Sequence, residues 1–411
     1  MAEPVGKHGD PRTGSLRFAG EPLPISANSA VETVATLIEK AVQSRATDIH
    51  VEPRRDGFNI RYRVDGFLYE VGRVDHTTGR EIISRIKILA DMDITERRLP
   101  QDGHYRFSTE VSEYDMRIAT VPTNFGERMG IRLAEGGRLF TSLEDLGMSE
   151  DEVALVDSFI AKPHGIVLAT GPVGSGKTTT LYSCINKIDK QALNVMTIED
   201  PIEYVIPAAN QIEVNYKVNF DFVYGLRAIL RQDPNVILVG EIRDEETAKI
   251  AIRAGLTGML VFSTLHANES VGSVTTLTNF NINRFLIANA LVGSLAQRLV
   301  RRVCEKCAEP IRNKKAAAEA LHATPKDVAG FNLVRGTGCE QCFHTGYRGR
   351  VGIFEIFNVT PKVRSLIMSG ATEEQIRKQA TDDGMVTLRD SGFAKLRDGL
   401  TTVEEYVRVL G

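Results

Sequence analysis

Ile166-Val167-Leu168-Ala169-Thr170-Gly171-Pro172-Val173-Gly174-Ser175-Gly176-Lys177-Thr178-Thr179-Thr180 runs from an apolar segment through glycines into residues that open a helix. The four apolar residues predict a buried strand, and the periodic residues from Leu181 and Tyr182 onward predict a helix. Between them stands G-x-x-x-x-G-K-T, the phosphate-binding P-loop pattern, in the strand, loop and helix context it requires. Glycines let backbone N–H groups wrap a phosphate chain, and the helix N-terminus adds a favourable potential. The expected nucleotide contacts are Gly171, Pro172, Val173, Gly174, Ser175, Gly176, Lys177, Thr178 and Thr179, with Lys177 on the β- and γ-phosphates and Thr178 on Mg2+.

Downstream of this motif, short apolar runs alternate with helical patterns, as in a doubly wound α/β sheet whose chemistry gathers at strand C-termini. Val195–Ile198 leads into Glu199, Asp200 and Glu203, and Val236–Val239 leads into Gly240-Glu241-Ile242-Arg243-Asp244. The second run resembles a Walker B strand in which Gly240 replaces the usual metal-holding Asp. Glu241 then becomes the candidate for orienting or deprotonating an attacking water, with metal ligation shared with Glu199 or Glu203 through waters. Met259–Phe262 leads into Ser263-Thr264-Leu265-His266, and a histidine at that strand end reads as a γ-phosphate sensor.

Upstream, Ala30–Val42 has helical spacing with Asn28 or Ser29 as cap, and Asp48–Val51 with Phe58–Val64 reads as a hairpin. A second helix over about Gly79 to Ala90 and paired strands around Asn124-Phe125-Gly126 complete a small α/β unit. Ser149-Glu150-Asp151-Glu152 is a capping box that opens a helix to Ile160. The domain boundaries expected are 1–28 flexible tail, 29–138 N-terminal α/β domain, 139–148 linker, 149–300 P-loop domain, 301–345 tetracysteine module and 346–411 C-terminal helices.

Composition is that of an ordinary globular chain: 411 residues, 42% hydrophobic and 25% charged. With a net charge of −3, from 50 basic and 53 acidic residues, nothing global argues for nucleic acid or an anionic membrane as a partner. No signal-peptide core and no run near the ~18 apolar residues of a spanning helix is present, so a cytoplasmic location is expected. Cys304-x-x-Cys307 and Cys339-x-x-Cys342 are two thiolate pairs, and four thiolates from two turns form a closed, structural tetrahedral Zn2+ site. Cys184, inside the P-loop helix, reads as a small buried hydrophobe.

Taken together, these residues resemble the type II secretion and type IV pilus assembly ATPases. The resemblance is carried by Arg45–His50, Leu99–Gly103, Gly171–Thr180, Glu199–Tyr204, Gly225–Pro234, Gly240–Asp244, Ser263–His266 and Ala296–Leu299, in one order from about Ser29 to the end. It implies a RecA-like P-loop core, a smaller N-terminal α/β domain of PAS-like type and a C-terminal helical region that bears zinc. It further implies an ATP-hydrolysing motor of a pseudopilus or pilus machine, a hexameric homo-oligomer, and inner-membrane platform proteins as partners. Two arginines of the N-terminal domain, Arg117 and Arg132 here, are implied to reach the phosphates when that domain closes. Val173 and Thr276 depart from the family's usual Thr and Arg, and a short tail stands before Ser29 in this sequence where type II secretion members usually carry an extra N-terminal docking domain. The four cysteines argue against a retraction motor, and the charge balance argues against the alternative of a DNA-uptake or conjugative-transfer ATPase.

Overall fold

The structure is a computed structural model that describes residues 16–17, 29–108, 113–136 and 142–411. Most of the expected tail and the first residues of the expected linker lie outside the described residues. The chain divides into two compact units. The first takes the described residues up to 136 together with Val303–Glu309 and Arg335–Gly349, and the second takes the rest.

In the first unit, β1 (Leu16–Arg17), β2 (Ala46–Arg54), β3 (Gly57–Val64), β4 (Phe67–Val74), β5 (Gln101–Ser108), β6 (Glu113–Thr123) and β7 (Gly126–Gly136) form one sheet in the order β1-β4-β3-β2-β7-β6-β5. Helices α1 (Ala30–Gln43) and α2 (His76–Leu89) cover it, capped by Ser29 and Asp75. Val34, Leu37, Ile82 and Ile86 pack with Ile49, Ile60, Met116 and Ile131, and each such burial contributes about 1.5–3 kcal/mol. Because strand side chains alternate, the other residues of β2, β6 and β7 form a charged face that carries Asp48, Arg117 and Arg132.

The second unit begins its regular structure with α3 (Glu150–Ile160), which has the capping box predicted at Ser149. Just before it, Leu143 and Met148 of the expected linker are buried in the core. Then follow β8 (Gly165–Thr170), α4 (Lys177–Asn186), β9 (Val195–Glu199), β10 (Asn210–Glu213), α5 (Phe222–Ile229), β11 (Val236–Ile242), α6 (Glu245–Leu256) and β12 (Leu260–Leu265). After α7 (Gly272–Asn279) and α8 (Arg284–Ala290), β13 (Leu291–Val303) returns to the sheet. A small ribbon, β14 (Ala308–Pro310) with β15 (Val334–Gly336), and α9 (Lys314–Ala320) precede β16 (Tyr347–Asn358).

The large sheet has the order β10-β9-β11-β12-β8-β13-β16, so β12 and β13 flank the P-loop strand β8 and β11 stands one strand away. Its pairings from β10 to β13 are parallel. This is the RecA-like arrangement expected. Ile166, Leu168, Ile237 and Val239 face one core, and Val167, Ala169, Val236 and Leu238 face another, which explains why these strands read as unbroken apolar runs. Helices α10 (Pro361–Ser369), α11 (Glu373–Asp382), α12 (Leu388–Arg397) and α13 (Val403–Leu410) end the chain, each capped by a threonine. Val363, Ile367, Ile376 and Ala380 extend the first of those two cores. Among the described residues, no helix is long and apolar enough to cross a membrane.

Candidate active site

The P-loop is built by backbone conformations that side chains resist. Gly171 has φ 136°, and a Cβ there would lie 2.6 Å from Gln297 O and 2.8 Å from Ser175 Oγ. Gly176, at φ 89°, is the N-cap of α4 and provides no side-chain cap, so the helix starts at Lys177, four residues before its apolar periodicity begins. Uncapped first-turn N–H groups suit an anion rather than another part of the chain. Ser175 Oγ is buried without a hydrogen-bond partner, a second sign that the loop is shaped for a group outside the chain. Thr178 and Thr179 are half-buried on the first turn, while Pro172, Val173 and Gly174 are exposed at the tip.

Lys177 Nζ donates to the carbonyls of Gly171 at 2.9 Å and Pro172 at 3.0 Å. Burial pulls its ammonium below the ordinary lysine value, the Glu241 carboxylate works against that, and the Arg298 cation adds to it. These donors, the glycines and the orphaned hydroxyl fit a nucleotide's phosphates, and Thr178 fits the hard-cation ligand role at the first helical turn.

Glu241 stands near the end of β11, within the bulge between Val239 and Ile242. A Cβ on Gly240 would meet Ile198 O and Glu199 Cα at 3.3 Å, so glycine here lets β9 lie close. Glu241 Oε1 accepts from Arg243, and His266 Nε2 lies 3.4 Å from Glu241 Oε2. Burial alone would raise the Glu241 carboxyl, but the Arg243 hydrogen bond and charge, with His266, hold it below the usual carboxylate range. His266 is exposed, at the end of β12. The structure thus brings together Lys177, Glu241 and His266 at the C-terminal edge of one sheet.

Glu199 is placed differently. Its side chain is 2% exposed, and it accepts from Tyr182 Oη, from Thr197 Oγ1 at 2.6 Å and from Gln211 Nε2 at 3.1 Å. Glu203 is half-buried on the loop after β9. Arg117 and Arg132 face each other across β6 and β7 in the first unit, and Arg132 Nε lies 3.5 Å from Asp48 Oδ1. Sequence reasoning assigned no role to Arg243. Arg243 lies one residue past the end of β11, and its only signal in the sequence was its place in the charged run that follows Glu241.

The four cysteines converge within the first unit, their sulfurs all within 4.8 Å of one another. The Cys304–Cys339, Cys307–Cys342 and Cys339–Cys342 separations are each 3.8 Å. A regular tetrahedron with ~2.3 Å metal–sulfur bonds has edges of about 3.8 Å. Backbone N–H groups of Gly338, Cys339 and Gly346 donate to Cys307 and Cys342 sulfurs at 3.2–3.3 Å, as thiolates require. Cys184 is fully buried and its thiol is pushed up to about 12, the state of an inert packing residue.

A family profile described as "Type II/IV secretion system protein" matches residues 26–408. The chain belongs to that family. Within the family it is 43% identical to type II secretion system protein E of Pseudomonas aeruginosa, over 97% of this chain and 78% of that protein. It is 42% identical to the type IV pilus assembly ATPase PilB of Myxococcus xanthus, over 92% of this chain and 67% of that one. Among solved structures it is similar to the pilus retraction motor PilT with bound ADP, at TM-score 0.62 and 25% identity, covering 90% of this chain and 95% of that chain. The Legionella pneumophila ATPase DotB shares the fold, at TM-score 0.70 and 21% identity over 94% of this chain and 97% of that chain.

Proposed function

We propose that this family member is an ATP-hydrolysing motor that drives pseudopilus or pilus assembly in a type II secretion or type IV pilus machine. The observation that carries this reading is the 3.4 Å approach of His266 to Glu241, at the strand ends beside the uncapped P-loop helix. Relatives named type II secretion system protein E and PilB support the choice of machine.

In this reading the backbone N–H groups of the loop and Lys177 hold the phosphates, and Thr178 holds Mg2+, which supplies charge neutralisation at the phosphoryl group. Glu241 orients the attacking water and accepts its proton, while Arg243 keeps that carboxylate ionised and turned toward His266. His266 senses the γ-phosphate. Glu203 is the acidic partner with access to the site, and Glu199, engaged by Tyr182, Thr197 and Gln211, fixes the end of β9 beside Gly240. Arg117 and Arg132 are the arginines that add transition-state stabilisation when the first unit closes on a nucleotide. The ring is a hexamer, it works at the cytoplasmic side of the inner membrane through platform proteins, and Zn2+ on Cys304, Cys307, Cys339 and Cys342 has a structural role.

The test is phosphate release from ATP and Mg2+ by purified full-length protein, with Lys177→Ala as the control. Turnover unchanged in that variant, or no turnover in the wild type at any protein concentration, would remove the assignment.

A further inference from the structure

Glu355 is a carboxylate in the middle of the apolar part of β16 and is only 2% exposed. Its Oε1 accepts the main-chain N–H of Ser270 at 3.0 Å and the Ser270 hydroxyl at 2.5 Å. Its Oε2 accepts the N–H of Leu388, the first residue of α12, at 3.3 Å and faces Arg377 Nη1 at 3.5 Å. Ser270 is fully buried, and its carbonyl takes the hydroxyls of Ser273 at 2.7 Å and Ser294 at 2.6 Å. It closes the short loop that starts immediately after His266. Arg298 holds the same loop through Asn268 O at 2.8 Å, and Arg377 of α11 pairs with the Glu269 side chain.

Burying a carboxylate is costly unless every lone-pair direction is used. Here two N–H groups, a hydroxyl and a guanidinium all donate, so only a group that accepts on every side satisfies them. A glutamine would present its own N–H donors to one of these pairs.

We propose that Glu355 is a positioning residue for hydrolysis: acting through Ser270, it fixes the loop that sets His266 against Glu241 and ties that loop to α11 and α12. The inference rests on the ATPase reading above. It adds a fixed mechanical link from the strand-end loop to the C-terminal helices, at a residue only 2% exposed.

The experiment uses full-length protein, with kcat, KM and the Kd of a fluorescent ATP analogue measured for Glu355→Gln, for Ser270→Ala, and for each combined with His266→Ala. Glu355→Gln should lower kcat by about 10-fold or more and leave the Kd within about twofold, because ground-state binding does not pass through the loop. Ser270→Ala, which keeps the N–H donor, should move kcat in the same direction by less. In the His266→Ala background neither should lower kcat by more than about twofold further, since effects that act through one residue are not additive. Losses that multiply in the double variants, a Kd that rises with the fall in kcat, or an unchanged kcat in a folded Glu355→Gln protein overturn the proposal. Normal turnover of His266→Ala also overturns it while leaving the ATPase assignment standing, whereas a wild type without turnover removes both. Thermal melting reports whether Glu355→Gln folds, and if it does not, Ser270→Ala carries the same cycle.

Discussion

His266 Nε2 lies 3.4 Å from Glu241 Oε2, although the two residues end different strands and are 25 positions apart in the chain. The contact exists because β11 and β12 are parallel neighbours, with Val239 level with Ser263 and Ile242 level with Leu265. A carboxylate held by an arginine on one side and a histidine on the other is confined to a narrow range of orientations. That confinement is what a water-orienting base needs.

Removing the base and removing the phosphate grip should therefore separate cleanly. Lys177→Ala is expected to abolish nucleotide binding, measured by titration with a fluorescent analogue. Glu241→Gln is expected to keep binding and lose turnover by about 10²-fold or more. Normal turnover in Glu241→Gln would transfer the role to Glu203.

The pH dependence should expose Arg243. The carboxylate must be ionised to act as base, so activity falls as pH drops through its pKa. The wild-type acid limb of kcat/KM should lie below the usual carboxylate range, because Arg243 and His266 outweigh burial at Glu241. Arg243→Ala leaves burial with less opposition, and the acid limb should move to higher pH. A limb that stays in place in Arg243→Ala would detach Arg243 from Glu241 during turnover.

Arg117→Ala and Arg132→Ala should lower kcat far more than ATP affinity, because an arginine delivered by closure acts on the transition state rather than the ground state. Steady-state kinetics beside equilibrium binding distinguish the cases. Equal losses in both quantities would place these arginines in simple substrate binding. The wild-type specific activity should also rise with protein concentration as rings assemble, read together with mass by light scattering.

Metal analysis of the purified protein should find one Zn2+ per chain. Replacing both Cys339 and Cys342 with Ser should abolish metal retention and lower the melting temperature, since binding free energy at a closed thiolate site is folding free energy. Intact metal content in that double variant would sink the structural-zinc assignment.

Much of this molecule was legible in its sequence because the signals were local. The P-loop spacing, the capping box at Ser149, the hairpin from Asp48 to Val64 and the two C-x-x-C pairs each depend on residues within a turn or two of one another. The buried parallel strands were readable for a related reason, as covering both faces demands unbroken apolar runs.

Tertiary structure decided the rest. Gln101–Ser108 carries mostly polar residues, and in it only Gly103 is buried, so its strand state comes from pairing with Glu113–Thr120 and not from its own pattern. Leu291–Val303 spaces its apolar residues as a helix would, yet it is a strand, since the slot beside β8 in the sheet buries it whichever period it has. Glu199 and Glu241 both end strands of one sheet and look equivalent in the chain, but Tyr182, Thr197 and Gln211 enclose the first while the second stays partly open beside His266. Glu355 gave no sign of its role either. A lone acidic residue in an apolar strand acquires its meaning only from the Ser270, Arg377 and Leu388 donors that distant elements bring to it, and no spacing rule records which donors the fold will supply.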